Sequence, residues 1–134
     1  MSSDIKNKIN SILAKEKKYA FSAYPFIADA VPYTVSTLAK ERHVTAKELV
    51  EGVKKYAFSI YGALAPNVLQ YWGVTQPKDV GKIVYLLIGE NILSASPDDD
   101  PNDFNIPGEL FPKVKANYQI KEEFITPIDK KLNI

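Results

Sequence analysis

The sequence contains no cysteine and only one histidine, His43. Without cysteine the chain forms no disulfide and no thiolate metal site, which fits a reducing compartment. A zinc site normally needs several nitrogen or sulfur ligands, and a catalytic histidine normally needs a partner that orients it. We therefore expect His43 to bond a helix end rather than to act in catalysis.

The sequence also lacks the motifs of common catalytic and membrane segments. There is no G-x-S-x-G element to expose a nucleophilic serine, and no glycine-rich phosphate loop follows a strand. The longest apolar runs, such as residues 83–88, are far shorter than the ~20 residues that cross a bilayer. Residues 1–4 do not begin a secretory signal. These absences predict a soluble, cytoplasmic, non-enzymatic protein that needs no cofactor.

Charge is distributed unevenly along a chain of otherwise ordinary composition. The 134 residues are 46% hydrophobic and 25% charged, with a net charge of +1, so there is no overall attraction to nucleic acid or acidic membranes. Residues 1–60 carry ten basic and six acidic side chains, residues 61–112 two and seven, and residues 113–134 five and three. This pattern is typical of solvated faces.

Five segments place apolar residues at helical spacing. They predict helices around residues 5–13 and over residues 22–42, 46–61, 64–72 and 77–91, with Thr45 and Glu48 forming a capping box before the third. The predicted fold is mainly α: a compact bundle of about five helices with a short irregular or β-hairpin element near residues 92–107. We predict one helical domain over residues 1–112.

Residues 113–134 form a predicted C-terminal tail around the helix breaker Pro127. Three alternatives are open for the tail: it docks on its own domain, packs against a partner protein or stays mobile, and we favour docking. Its large apolar side chains are the candidates for partner binding: Tyr118, Phe124, Ile125 and Ile128.

An acidic loop is the feature of the sequence that most resembles a metal-binding site. Asp98, Asp100, Asn102 and Glu109 occupy positions 1, 3, 5 and 12 of a calcium-loop window. Position 6, where a glycine allows the sharp turn, is Asp103. Adjacent aspartates are also typical of turns and caps, where they accept backbone N–H bonds. These residues are therefore weak candidates for a metal site.

A lysine-rich N-terminal face provides the candidate nucleic-acid contacts, Lys15, Lys17 and Lys18. Helices over 46–61, 64–72 and 77–91 loosely suggest a winged helix. The acidic loop that follows them would repel phosphates, which argues against DNA binding and leaves RNA or ribosome contact through the lysines as an alternative function.

Several segments in fixed order carry a resemblance to a known family: residues 24–38, RHVT at 42–45, ELVEG at 48–52, YWGV at 71–74, GKIV at 81–84 and DDDPNDF at 98–104. Over residues 9–112 the chain resembles small conserved hypothetical proteins of the planctomycete and verrucomicrobial type. The sequence departs from the family pattern at residues 105–109, and the tail lies outside the match. The resemblance implies a compact helical bacterial protein and implies no activity.

These features narrow the possible functions of the protein without identifying one. The leading hypothesis is a non-catalytic protein–protein interaction module that binds another protein or its own copy. The alternatives are an RNA- or ribosome-associated protein and a calcium or small-ligand binding protein. Trp72 is predicted to be in the core, and Tyr24, Tyr61 and Tyr85 are candidates for the rim of a ligand groove.

Overall fold

The computed structural model describes residues 2–40, 42–97 and 99–111. Within them the helices are α1 (Ser3–Lys15), α2 (Ala23–Ser36), α3 (Ala46–Tyr61), α4 (Ala65–Tyr71) and α5 (Pro77–Gly89), with 3-10 turns at Gly62–Leu64 and Pro101–Phe104. The predicted mainly helical class is confirmed. The described helices include four of 13 to 16 residues, whereas α4 has only 7, so the predicted bundle is matched only in part.

Of the two alternatives predicted near residues 92–107, the irregular element matches the structure and the β-hairpin does not, because the described part of this segment contains no strand. Residues 101–104 form a 3-10 turn, and Asp100 caps it by accepting a hydrogen bond from the Asn102 amide at 2.9 Å. Asp99 accepts from the Ser96 amide at 2.6 Å. The two aspartates satisfy backbone amides locally, which favours turns over strand pairing.

Helix α2 ends at Ser36, well before the predicted end at residue 42. The hydroxyls of Ser36 and Thr37 donate to the carbonyls of Tyr33 and Thr34, respectively. Such hydroxyl bonds compete with helical backbone bonds. The apolar residues whose spacing extended the predicted helix beyond Ser36 therefore lie in the loop that follows α2.

The predicted capping box at the start of α3 is confirmed. The Thr45 hydroxyl accepts from the Glu48 amide at 3.1 Å, and the Glu48 carboxylate accepts from the Thr45 amide at 3.0 Å. Arg42 donates to both oxygens of this carboxylate, at 2.9 and 2.7 Å. Hydrogen bonds from Arg42 and from the Thr45 amide lower the pKa of Glu48 to about 2. The loop before α3 is thereby anchored to the helix.

The core lies where α2 packs against α3 and α5, and α3 packs against α4. Ile9 and Ile12 of α1 join the same cluster, and Trp72 is buried as predicted. Helices α2 and α3 approach closely at Gly52, where an added Cβ would lie 1.8 Å from the Thr34 hydroxyl oxygen. A glycine at this position allows the two helices to pack closely.

A buried carboxylate, Asp79, fastens the loop between α1 and α2 to the start of α5. One of its oxygens accepts from the Lys18 ammonium at 2.8 Å and the Tyr19 hydroxyl at 2.6 Å. The other accepts from the backbone amides of Thr75 at 3.1 Å and Gln76 at 2.9 Å. Burial raises the pKa of Asp79, but these hydrogen bonds together lower it by more than burial raises it. The pKa of Asp79 therefore lies below the ordinary value. Asp79 is therefore a carboxylate at neutral pH.

Two neighbouring tyrosines differ in whether their hydroxyls are satisfied. Tyr19 and Tyr24 are both buried and pack edge to face with ring centroids 6.4 Å apart. The Tyr19 hydroxyl donates to Asp79, whereas the Tyr24 hydroxyl has no hydrogen-bond partner among the described residues. Burial raises the pKa of Tyr24 to about 12, so its hydroxyl stays protonated.

We expect Tyr24→Phe to raise the free energy of unfolding by about 1 kcal/mol, because it removes a buried hydroxyl that makes no bond. Tyr19→Phe is the matched control and should lower it by about 2 kcal/mol, because it removes a bond to a charged group. Urea unfolding followed by Trp72 fluorescence measures both. Equal losses in the two variants would contradict the expected difference between the hydroxyls.

Candidate functional site

A cleft of about 370 Å³ opens between the C-terminal half of α2, the start of α3 and the C-terminal half of α5. We call it the α2–α5 cleft. Its volume lies within the range of about 300 to 1,000 Å³ that is typical of ligand sites. Most of its lining is apolar and includes Val31, Val35, Leu49, Val84, Ile88 and Leu93.

The charged residues of the cleft are mostly acidic. Asp99, Asp100 and Asp103 line it from the segment around the 3-10 turn, and Arg42 and His43 line it from the loop before α3. The Arg42 guanidinium is already paired with the carboxylate that caps α3. The cleft therefore combines an apolar lining with an excess of negative charge.

Two aromatic rings line the same cleft beside these carboxylates. Tyr85 and Phe104 pack edge to face, with ring centroids 6.4 Å apart and an angle of 84° between their planes. Burial raises the pKa of the Tyr85 hydroxyl, and the nearby carboxylates Asp99, Asp100 and Asp103 raise it further. The same negative field that disfavours a phenolate would favour a bound cation.

Gly81 allows the acidic segment to lie against α5. An added Cβ at this position would lie 2.5 Å from the Cβ and Cγ of Phe104. Because Phe104 ends the 3-10 turn, this contact sets the position of the neighbouring aspartates. Neither residue was predicted to belong to a site; the available signal was a glycine inside an apolar helical stripe, four residues before Tyr85.

The structure does not assemble the predicted calcium loop from its described residues. Asp98 lies outside them, and Asp100 already accepts a bond from the Asn102 amide. Glu109 lines a separate depression with Thr75 and Phe111. In the part of the chain that the structure describes, no three histidine or acidic side chains are grouped so as to hold a metal ion. A metal site stays a prediction.

Of the three predicted nucleic-acid lysines, Lys18 has a different role in the structure. Its ammonium pairs with buried Asp79 at 2.8 Å, which links it to a residue 61 positions away. Lys15 and Lys17 are exposed. Between them Glu16 pairs with Lys82 at 2.8 Å, so its negative charge is balanced by a base from α5. The lysine-rich face is thus less basic than the sequence indicated.

The remaining candidate residues are divided between core, cleft and undescribed chain. Tyr85 lines the cleft, as predicted for a groove residue, whereas Tyr24 is wholly buried and does not. Tyr61 packs against Phe26 and Trp72. The tail candidates lie outside the described residues: Tyr118, Phe124, Ile125 and Ile128.

No protein family, curated protein or solved structure shows significant similarity to this chain. The resemblance drawn from short sequence segments therefore stays a prediction. In the described residues, no helix has the length and apolar character needed to span a membrane.

Proposed function

We propose that the protein is a non-catalytic interaction module whose α2–α5 cleft binds a segment of a partner protein. That segment presents an apolar side chain next to a basic one. The observation that carries this proposal is the combination, in one cleft, of an apolar lining with Asp99, Asp100 and Asp103. Neither feature alone would select this ligand.

The two features of the cleft contribute differently to binding. Apolar side chains such as Val35, Ile88 and Leu93 line the cleft, and covering them gains roughly 25 cal/mol for each Å² removed from water. The aspartates mainly supply selectivity, because complementary charge speeds encounter and like charge opposes it. Acidic partner segments are therefore excluded, while basic amphipathic segments are favoured.

Selection from a phage-displayed library of random peptides on the immobilised full chain tests this proposal. We expect the enriched peptides to contain apolar residues flanked by lysine or arginine. Ser94 lines the cleft and is exposed, so Ser94→Trp blocks the cleft without altering the core. The blocked variant should lose the selected peptides, and Glu51→Gln, a loss of one exposed acid on α3, should keep them.

Two results would contradict the proposal. The first is enrichment of peptides that bind the Ser94→Trp variant as well as the original chain. The second is a cleft that binds only a synthetic peptide of residues 113–134, since the occupant would then be this chain's own segment. Competition between that synthetic peptide and the selected peptides, measured by fluorescence polarisation, separates these cases.

An RNA- or ribosome-associated role and a calcium or small-ligand role are weaker proposals. The RNA role now depends on Lys15 and Lys17, because Lys18 is paired with Asp79. The calcium role depends on Asp98, which lies outside the described residues.

A further inference from the structure

On the basis of the proposed function, we infer that a segment of the same chain, residues 128–134, occupies the α2–α5 cleft and competes with the partner segment for it. These residues lie outside the part of the chain that the structure describes. The proposed function requires a basic amphipathic ligand, and such a ligand binds the cleft whether it belongs to a partner or to this chain. The composition of the segment, its reach and its charge all point to the cleft.

Residues 128–134 have the composition that the cleft favours. Apolar side chains flank a pair of lysines in this segment: Ile128, Lys130, Lys131, Leu132 and Ile134. With Asp129, the segment carries two basic side chains and one acidic one. It therefore offers apolar surface to the lining of the cleft and an excess of positive charge to the aspartates of the cleft.

The other apolar stretch of the tail, residues 118–125, has the opposite charge. Glu122 and Glu123 outnumber Lys121 in it. Because like charge opposes binding, the acidic side of the cleft disfavours this stretch. Of the two stretches, residues 128–134 are therefore the better ligand.

The tail is long enough to reach the cleft of its own domain. The Leu110 amide donates to the Thr75 carbonyl at 2.9 Å, so the described chain ends near the start of α5. Val84 and Ile88 line the cleft from the far half of α5, a helix of 13 residues that is about 20 Å long. Residues 112–127 span up to about 50 Å when fully extended. A tethered segment meets its own cleft at an effective concentration on the order of millimolar, so a second copy competes only when it is similarly concentrated.

Charge separates the cleft from the apolar surface that is nearest to the end of the described chain. Phe58 is 47% exposed there, and Phe111 packs edge to face against it with ring centroids 5.7 Å apart. Beside these rings Lys54 pairs with Glu51 at 3.5 Å, so this acid is already balanced by a base. The lysines of residues 128–134 therefore gain less on this surface than beside the aspartates of the cleft.

Paramagnetic broadening in NMR spectra of the full chain tests where the segment lies. Because the chain contains no cysteine, a nitroxide attached to Asn133→Cys labels the tail alone. We expect the label to broaden the amide signals of residues 84–88 and 99–104 most strongly. Ser94→Trp, which blocks the cleft, should remove this broadening. A mixture of isotope-labelled chain without nitroxide and nitroxide-labelled chain without isotope should show little of it, because the contact lies within one chain.

Binding of a fluorescein-labelled synthetic peptide of residues 128–134 tests the competition. An occupied cleft lowers the apparent affinity in proportion to the free fraction, so Lys130→Glu with Lys131→Glu in the full chain should tighten binding about threefold to tenfold. Lys113→Glu with Lys115→Glu is the matched control, because it makes the same change of charge in the linker. The control should bind the peptide like the original chain when both are measured by fluorescence polarisation.

Three outcomes would overturn the inference. They are strongest broadening around Phe58, broadening of the cleft that Ser94→Trp leaves unchanged, and equal tightening by the two pairs of lysine substitutions. Strong broadening in the mixed sample would also overturn it and would assign the cleft to the tail of a second copy.

The same measurements distinguish this inference from the function on which it rests. If library peptides bind in the cleft while the nitroxide does not broaden it, the tail assignment fails and the interaction module stands. If the nitroxide broadens the cleft and no library peptide binds even the Lys130→Glu, Lys131→Glu chain, the proposed function fails and the docked tail stands.

Discussion

Replacing Gly52 with alanine is expected to lower the free energy of unfolding by about 2 kcal/mol or more, because overpacking costs about 3 kcal/mol and the helix propensity of alanine returns only about 1 kcal/mol. The new Cβ would lie 1.8 Å from Oγ1 and 2.8 Å from Cβ and Cγ2 of Thr34. Rotation of the Thr34 side chain moves its Oγ1 and Cγ2 but not its Cβ. Rotation therefore cannot relieve the clash between the new Cβ and the Thr34 Cβ. Helices α2 and α3 must therefore move apart.

Gly89→Ala is the matched control for this substitution. Gly89 is the last residue of α5, and an added Cβ there meets nothing within 4 Å. The higher helix propensity of alanine should by itself raise the free energy of unfolding, by up to about 1 kcal/mol. Urea unfolding monitored by Trp72 fluorescence should therefore show shifts of opposite sign in the two variants. A stabilising effect of Gly52→Ala would show that α2 and α3 are not packed as closely as described.

Replacing Asp79 with asparagine is expected to lower the free energy of unfolding at pH 7 by about 3 kcal/mol, near the lower end for breaking a buried ion pair. Lys18 is about half exposed, which places the loss at that lower end. In either orientation the new amide points an NH₂ group at donors, either Lys18 and Tyr19 or the backbone amides of Thr75 and Gln76. Urea unfolding measures the loss.

The pH dependence of this loss follows from the lowered pKa of Asp79. An aspartate with a folded pKa below the ordinary value of about 3.9 contributes stability above that value and loses it as pH falls through the folded pKa. The asparagine variant lacks this contribution at every pH. The difference in the free energy of unfolding between the original chain and the asparagine variant should therefore be largest at neutral pH and should become smaller in acid.

Glu16→Gln controls for the removal of an acid from the same region. Glu16 pairs with Lys82 at the surface, so its loss should have a much smaller effect than the loss of Asp79. If the difference in the free energy of unfolding between the original and Asp79→Asn chains stayed the same from neutral to acidic pH, that result would contradict a charged Asp79 in the folded state.

The sequence alone was sufficient for the features that depend on neighbouring residues. The apolar stripe of α1, with Ile9 and Ile12, and the capping box of Thr45 and Glu48 both appear in the structure as predicted. These features depend on side chains within one or two turns of helix, so their spacing along the chain is enough to reveal them. Burial of Trp72 was predicted on similar grounds, since aromatic side chains favour cores.

Tertiary structure decided the features that join distant residues. Lys18 was predicted to belong to a basic surface, but folding brings it to Asp79, 61 positions later. Gly81 and Phe104 meet across 23 positions and place the aspartates beside the apolar lining of the cleft. Sequence spacing does not reveal such contacts, because they depend on which helix faces the packing of the core brings together. Local pattern thus indicated where the helices of this protein form, although not where α2 ends, whereas only packing determined its candidate site.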